Sequence, residues 1–150
     1  MSGGSGQPGS APQAAGYSGT PLPRKLGIKA GARLALIAAP DGFDSTLGSL
    51  PDDVTVSRRL GRGSRDVIVA FFSRRSVLER RLPDLVAALD TSGGLWIAWP
   101  KRASGVDTDV TEDAVRALGL ATGLVDNKVC AIDHVWSGLR LVYRLRDRPG

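Results

Sequence analysis

The chain has a single cysteine and a single histidine in 150 residues. One cysteine, Cys130, excludes an intramolecular disulfide and any cysteine-rich metal cage. It lies between Val129 and Ala131, where a thiol serves as a small hydrophobe. A catalytic triad needs a nucleophile, a base and an orienting acid, and His134 is the one imidazole that this chain could supply as base. It falls in a turn region near the end of the chain, where a surface or packing role accounts for it. No His, Cys and Asp residues recur at metal-ligand spacing, so neither a metal site nor a catalytic residue is assigned. Aromatic residues make up only 5%. No apolar run approaches the roughly 18 residues of a membrane-spanning helix. The N-terminus has neither a basic start nor a hydrophobic segment. These absences lead to the expectation of a cytoplasmic protein with no membrane partner.

Lysine is scarce too, while arginine is abundant, and the net charge is +5 with a pI near 10.0. Arginine binds phosphate and carboxylate through two parallel hydrogen bonds, so the excess favours anionic partners. A solvated surface with an arginine-rich codon bias explains the same excess without a partner. Arg58, Arg59, Arg62, Arg65, Arg74, Arg75, Arg80 and Arg81 are concentrated in the middle of the chain. A nucleic-acid contact through them would be weak, independent of sequence and lost with salt. No aromatic residues interleave with them in the manner of a recognised nucleic-acid module.

A chain of this length forms one domain with one good core. Residues 1–16 are almost all Gly, Ser, Pro, Gln and Ala, a composition that predicts a disordered tail. A single α/β domain is expected over 17–146, followed by a short tail at 147–150. A helical turn around Pro23–Leu26, ended by Gly27, leads into a strand over Ala32–Ala39 that is continuously apolar after Arg33, as suits a strand covered on both faces. Asp41–Leu50 has room for a helix of two or three turns. Val54–Ser57 is a short strand, Arg58–Arg65 (RRLGRGSR) a glycine- and arginine-rich connection, and Asp66–Phe72 a buried strand.

Ser76 followed by Glu79 has capping-box spacing for the next helix. Leu78, Leu82, Leu85 and Leu89 share one face of it, and Pro83 predicts a break. Thr91–Gly94 reads as a turn and Leu95–Trp99 as a strand. Trp96 and Trp99 should fall on opposite sides of that strand. Asp109 and Glu112 repeat the capping spacing before a helix with Val110, Ala114, Leu118 and Ala121 on its apolar face. Val125–Ile132 and Leu139–Leu145 are closing strands, antiparallel by the shortness of their connection. The alternation of elements predicts a three-layer α/β fold, a mostly parallel sheet with antiparallel C-terminal strands.

The strings GYSGTPLPRKLGIKAG, WIAWPKRASGV, DVTEDAVR and GLVDNKVCAIDHVWSGLR, in this order, resemble a bacterial protein family catalogued as domain of unknown function 3052. The resemblance covers Gly16 to Arg144 and implies no activity. The order of elements also resembles class I methyltransferases and other Rossmann-like domains, a likeness of architecture alone.

In such sheets ligands bind at the carboxyl ends of the strands. That rule selects Asp41, Gly42 and Phe43 after the first strand, Arg74 after the third, and Pro100 and Lys101 after the fourth. Lys101 and Arg74 would bind an anion and Asp41 would accept from a hydroxyl. A dinucleotide or S-adenosylmethionine site calls for a glycine-rich first loop, whereas Ala38–Phe43 holds one glycine and a proline. The acidic residue expected after the second strand, to hold a ribose, is replaced by Arg58 and Arg59, a pair better suited to a 2′-phosphate as in NADP sites. Gly61-Arg62-Gly63 is glycine-rich but lies in a different connection. No cofactor follows from these residues.

Three functions fit. A regulatory module that binds a protein or a small anionic ligand, without catalysis, comes first because catalytic groups are missing. A nucleotide-cofactor-dependent enzyme, such as a degenerate S-adenosylmethionine-dependent methyltransferase, comes second. A weak arginine-mediated nucleic-acid binder comes third.

Overall fold

The computed structural model describes residues 19–145, so the tails expected at 1–16 and 147–150 lie outside the described residues. Six strands form one sheet in the order β2-β1-β3-β4-β6-β5. In chain order the elements are α1 (Leu22–Lys25), β1 (Arg33–Ile37), α2 (Phe43–Leu47), β2 (Thr55–Ser57), β3 (Arg65–Phe71), α3 (Arg75–Ala88), β4 (Leu89–Pro100), α4 (Glu112–Ala121), β5 (Leu124–Ala131) and β6 (Trp136–Tyr143). β2, β1, β3 and β4 are parallel, and β6 runs antiparallel to both β4 and β5. The expected α/β sheet with antiparallel closing strands is the one observed.

Each central strand divides its apolar side chains between two faces, which is why it reads as a continuous apolar run. Ala35, Ile37, Ile68, Ala70, Leu95, Ile97 and Trp99 join Leu78, Leu82 and Leu85 of α3 and Val115 of α4 in one core cluster. Leu34, Leu36, Val67, Val69, Phe71, Trp96 and Ala98 pack against Leu26, Phe43 and Leu47 in the other. Trp96 and Trp99 therefore lie on opposite sides of β4, both buried. The indole Nε1–H of Trp96 donates to the Leu26 carbonyl at 2.9 Å, which fixes the end of α1 to the sheet.

Several local expectations need correction. α3 does not break at Pro83 but runs through it. Pro83 is exposed, so the carbonyl that loses its partner faces water rather than the core. Ser76 does not cap α3: the cap position is Arg74, and Arg75 N–H donates instead to Asp109 Oδ1 at 2.6 Å. Asp109 is consequently not the cap of α4, which is Thr111, whose hydroxyl accepts from Ala114 N–H at 3.1 Å. The buried face of α4 comprises Ala114, Val115 and Gly119, while Ala121 is exposed. α2 has 5 residues, shorter than expected. Thr91–Gly94 belongs to β4 rather than a separate turn. The pairing with β3 jumps there from Arg65–Leu89 to Val67–Gly94, so the extra residues bulge out of the ladder. No helix among the described residues is long and apolar enough to cross a membrane.

Candidate functional site

The four parallel strands point their carboxyl ends to one edge, where a ligand of such a sheet binds. The segment after β4 occupies much of that edge itself. The Thr108 hydroxyl donates to the Ser73 carbonyl at 2.8 Å, and Asp109 holds the first N–H of α3. Arg74 Nη2 lies 3.4 Å from Asp107 across the same seam, an exposed ion pair worth little on its own. The loop thus ties the end of β4 to the end of β3.

The six residues selected from the sequence fall around this edge, and of them Pro100 alone lines one of the cavities described below. Asp41 is exposed, and Gly42 precedes α2 with φ +82°. Phe43 is buried, with its ring edge-on to Phe71 at a centroid distance of 4.9 Å. Its role is packing. Pro100 is buried opposite Trp136 in the β4–β6 ladder. It also lines a cavity of about 580 Å3 together with Arg102, Asp107 and Thr111. Lys101 N–H donates to the Val135 carbonyl at 2.6 Å, and the residue is half-buried.

The larger groove lies one strand further along. The connection from β2 to β3 spans residues 58–64, where parallel crossovers ordinarily take a dozen residues or more. It can be so short because β2 stops early. Ser57 pairs with Ala35, and Val67 pairs with Leu34, so the chain has only a few residues of strand length to retrace. Leu60 packs on the α3-side core, so this connection passes over that face of β1. Between it and α3 lies a groove of about 790 Å3, beginning at Ile37 and Ala38. Its far wall is the stripe Arg81, Asp84 and Ala88 of α3, at i, i+3 and i+7. Arg58, Arg59, Leu60, Gly61 and Gly63 form the near wall. The glycine-rich string set aside in the sequence thus stands beside the end of β1 after all. Its signal was present in RRLGRGSR, but only the shortness of β2 shows where the string goes.

Ala38 has φ +58°, a left-handed conformation uncommon for a residue with a side chain. It turns the backbone directly after β1, where a glycine-rich loop would use its first glycine. Arg58 Nη2 donates to both carboxylate oxygens of Asp44 at 2.9 Å, so that cation is neutralised within the chain. Arg65 is likewise engaged, its Nε donating to Ser57 Oγ at 3.1 Å. Among the eight central arginines, Arg59, Arg62, Arg65, Arg80 and Arg81 make no ion pair with a described residue, and of these Arg65 is held by neutral acceptors.

Elsewhere charge is structural. Asp66 accepts from Arg33 N–H, Nε and Nη2 at 2.8, 3.1 and 2.8 Å, at the amino ends of the strands. Those hydrogen bonds hold the Asp66 carboxyl below the usual carboxylate range. Arg116 joins Glu112, on its own helix, to Asp126 of β5 and lowers the Asp126 pKa in the same way. Burial raises the pKa of the Cys130 thiol, as befits a packing residue on the second core cluster. His134 is exposed in the β5–β6 connection.

No family model and no curated protein matches this sequence, so the resemblance to domain of unknown function 3052 rests on the strings quoted above. Solved structures do match the fold. One is a SAM-dependent methyltransferase from Aquifex aeolicus, 15% identical, with a TM-score of 0.58 over 79% of this chain and 85% of that one. A putative methyltransferase from Thermoplasma acidophilum is 8% identical, with a TM-score of 0.54 over 79% of this chain and 70% of its own. Magnesium protoporphyrin IX methyltransferase from Synechocystis with bound SAM is 10% identical, with a TM-score of 0.54 over 82% of this chain and 74% of its own. At such identities the likeness is one of architecture: this chain has the Rossmann-like fold of the S-adenosylmethionine-dependent methyltransferases.

Proposed function

We propose that this protein is methyltransferase-like in function as well as fold, and that it binds an adenosine-bearing ligand of the S-adenosylmethionine class at the carboxyl end of β1. The observation that carries the reading is the groove that opens at Ile37 and Ala38, at the edge where a parallel sheet takes its ligand. The structural likeness to methyltransferases supports it over a regulatory module without a cofactor.

The residues present fit the adenosine half of such a ligand. Ala38 turns the chain away from the strand end, as a first glycine would. Gly42 has no atom within 4 Å of where a Cβ would stand, so the loop is open there. Asp41 is an exposed carboxylate with no described partner, suited to accept from a ribose hydroxyl. Leu60, Ala87 and Ala88 offer apolar surface for a base. Arg58 and Arg59 depart from the acidic residue expected after β2. S-adenosylmethionine, when bound, supplies an electrophilic methyl group, and this chain's part is to hold and orient the ligand. Isothermal titration of the purified protein with S-adenosylmethionine and S-adenosylhomocysteine tests the reading. Saturable binding, weakened by Asp41→Ala, is the expected result. If neither ligand binds, the regulatory module takes its place.

A further inference from the structure

The cationic side of the 790 Å3 groove is left over by the adenosyl reading, and it has its own chemistry. We propose that this groove holds a phosphate subsite and that its ligand is a nucleoside diphosphate or a molecule of that chemistry. Arg59 from the β2–β3 connection and Arg81 from α3 face the groove from opposite walls, and neither makes an ion pair with a described residue. The one carboxylate on the wall is Asp84, and the third arginine, Arg58, is already held by Asp44. Arg59 and Arg81 together outweigh Asp84, so the groove carries net positive charge.

The backbone of the connection adds to this. Three of its carbonyls are engaged: Ser57 Oγ donates to the Arg59 carbonyl at 3.1 Å, and Arg65 Nη1 reaches the Arg62 and Ser64 carbonyls at 3.4 Å each. Its donors are not. The N–H groups of Leu60, Gly61, Arg62 and Gly63 have no acceptor among the described residues. Successive free N–H groups in a loop whose Arg59, Arg62 and Ser64 carbonyls are already taken up suit an anion with several acceptor oxygens. Two arginines from separate elements suit two phosphates, because guanidinium matches phosphate oxygens through paired hydrogen bonds. The apolar surface of Leu60, Ala87 and Ala88 then takes the base. A groove of this size lies within the roughly 300–1,000 Å3 of small-molecule sites.

The inference goes beyond the adenosyl reading and can fail apart from it. The test is isothermal titration of the full-length protein with ADP, pyrophosphate, adenosine and S-adenosylhomocysteine at one ionic strength. ADP is expected to bind at least tenfold more tightly than adenosine, with pyrophosphate also binding measurably. Arg59→Gln and Arg81→Gln should each weaken ADP severalfold and leave adenosine unchanged. Arg80→Gln, on the same helix but outside the groove, should leave both unchanged. Melting temperatures of the variants check that each is folded. Equal affinity for ADP and adenosine, or ADP binding indifferent to Arg59→Gln and Arg81→Gln, overturns the subsite. S-adenosylhomocysteine binding without ADP binding would overturn it while leaving the adenosyl reading intact. ADP binding without S-adenosylhomocysteine binding would do the reverse.

Discussion

Asp109 Oδ1 accepts the backbone N–H of Arg75 at 2.6 Å, so a carboxylate from the loop after β4 caps the helix that follows β3. The cap joins two strand ends as well as satisfying one free donor of α3. Asp109→Ala should cost about 1 kcal/mol, the ordinary worth of a cap. Thermal unfolding is expected to show a drop of a few degrees for Asp109→Ala and none for Ser76→Ala, whose side chain does no capping. Equal losses for the two would mean that Ser76 is the working cap.

Gly119 in α4 sits directly against β6. A Cβ there would stand 2.5 Å from Leu141 Cδ2 and 2.8 Å from Cδ1. Alanine in a helix interior gains about 1 kcal/mol over glycine. Leu141 is fully buried and cannot swing aside, and overpacking of this kind costs roughly 1–3 kcal/mol. The clash should win, and Gly119→Ala should lower the denaturation midpoint. A raised midpoint would show that α4 stands further from the sheet.

Acid should unfold the protein partly through Asp66, Asp90 and Asp126, all held below the ordinary carboxylate range by hydrogen bonds. A carboxyl whose folded pKa is depressed contributes stability above its unfolded value, near pH 4, and that contribution is lost as pH falls through the folded value. Arg116→Gln removes the partner of Asp126. Its stability deficit relative to the parent should be full at neutral pH and shrink below about pH 4. Urea unfolding across that range measures it, and a deficit that does not change with pH would count against the ion pair.

Most of the fold was legible because it depends on burial. Runs such as Leu34–Ile37 and Val67–Phe71 have no polar face, which requires cover on both sides, and the two core clusters supply it. What was not legible depends on partners distant in sequence. Asp109 and Glu112 have ideal spacing for a cap, yet Asp109 serves α3, some 34 residues earlier in the chain, because the β4 loop crosses to it. Pro83 reads as a break, but the cost of a missing N–H depends on which side of the helix it faces. Of the site, the strand-end edge was legible from topology. Phe43 was placed there by its position in the loop, though its ring turns inward to Phe71. Arg59 and Arg81 are 22 residues apart and come to one groove only because β2 is short enough for its connection to cross β1.

The central claim is that an adenosine-bearing ligand binds at the end of β1, and amide chemical-shift mapping tests it most directly. With the 15N-labelled protein, S-adenosylhomocysteine should move the amides of 37–42 and 58–64 in a saturable manner. Those of the β5–β6 connection around His134 should stay in place. No shifts at saturating ligand, or shifts confined to the cavity by Pro100 and Asp107, would contradict it.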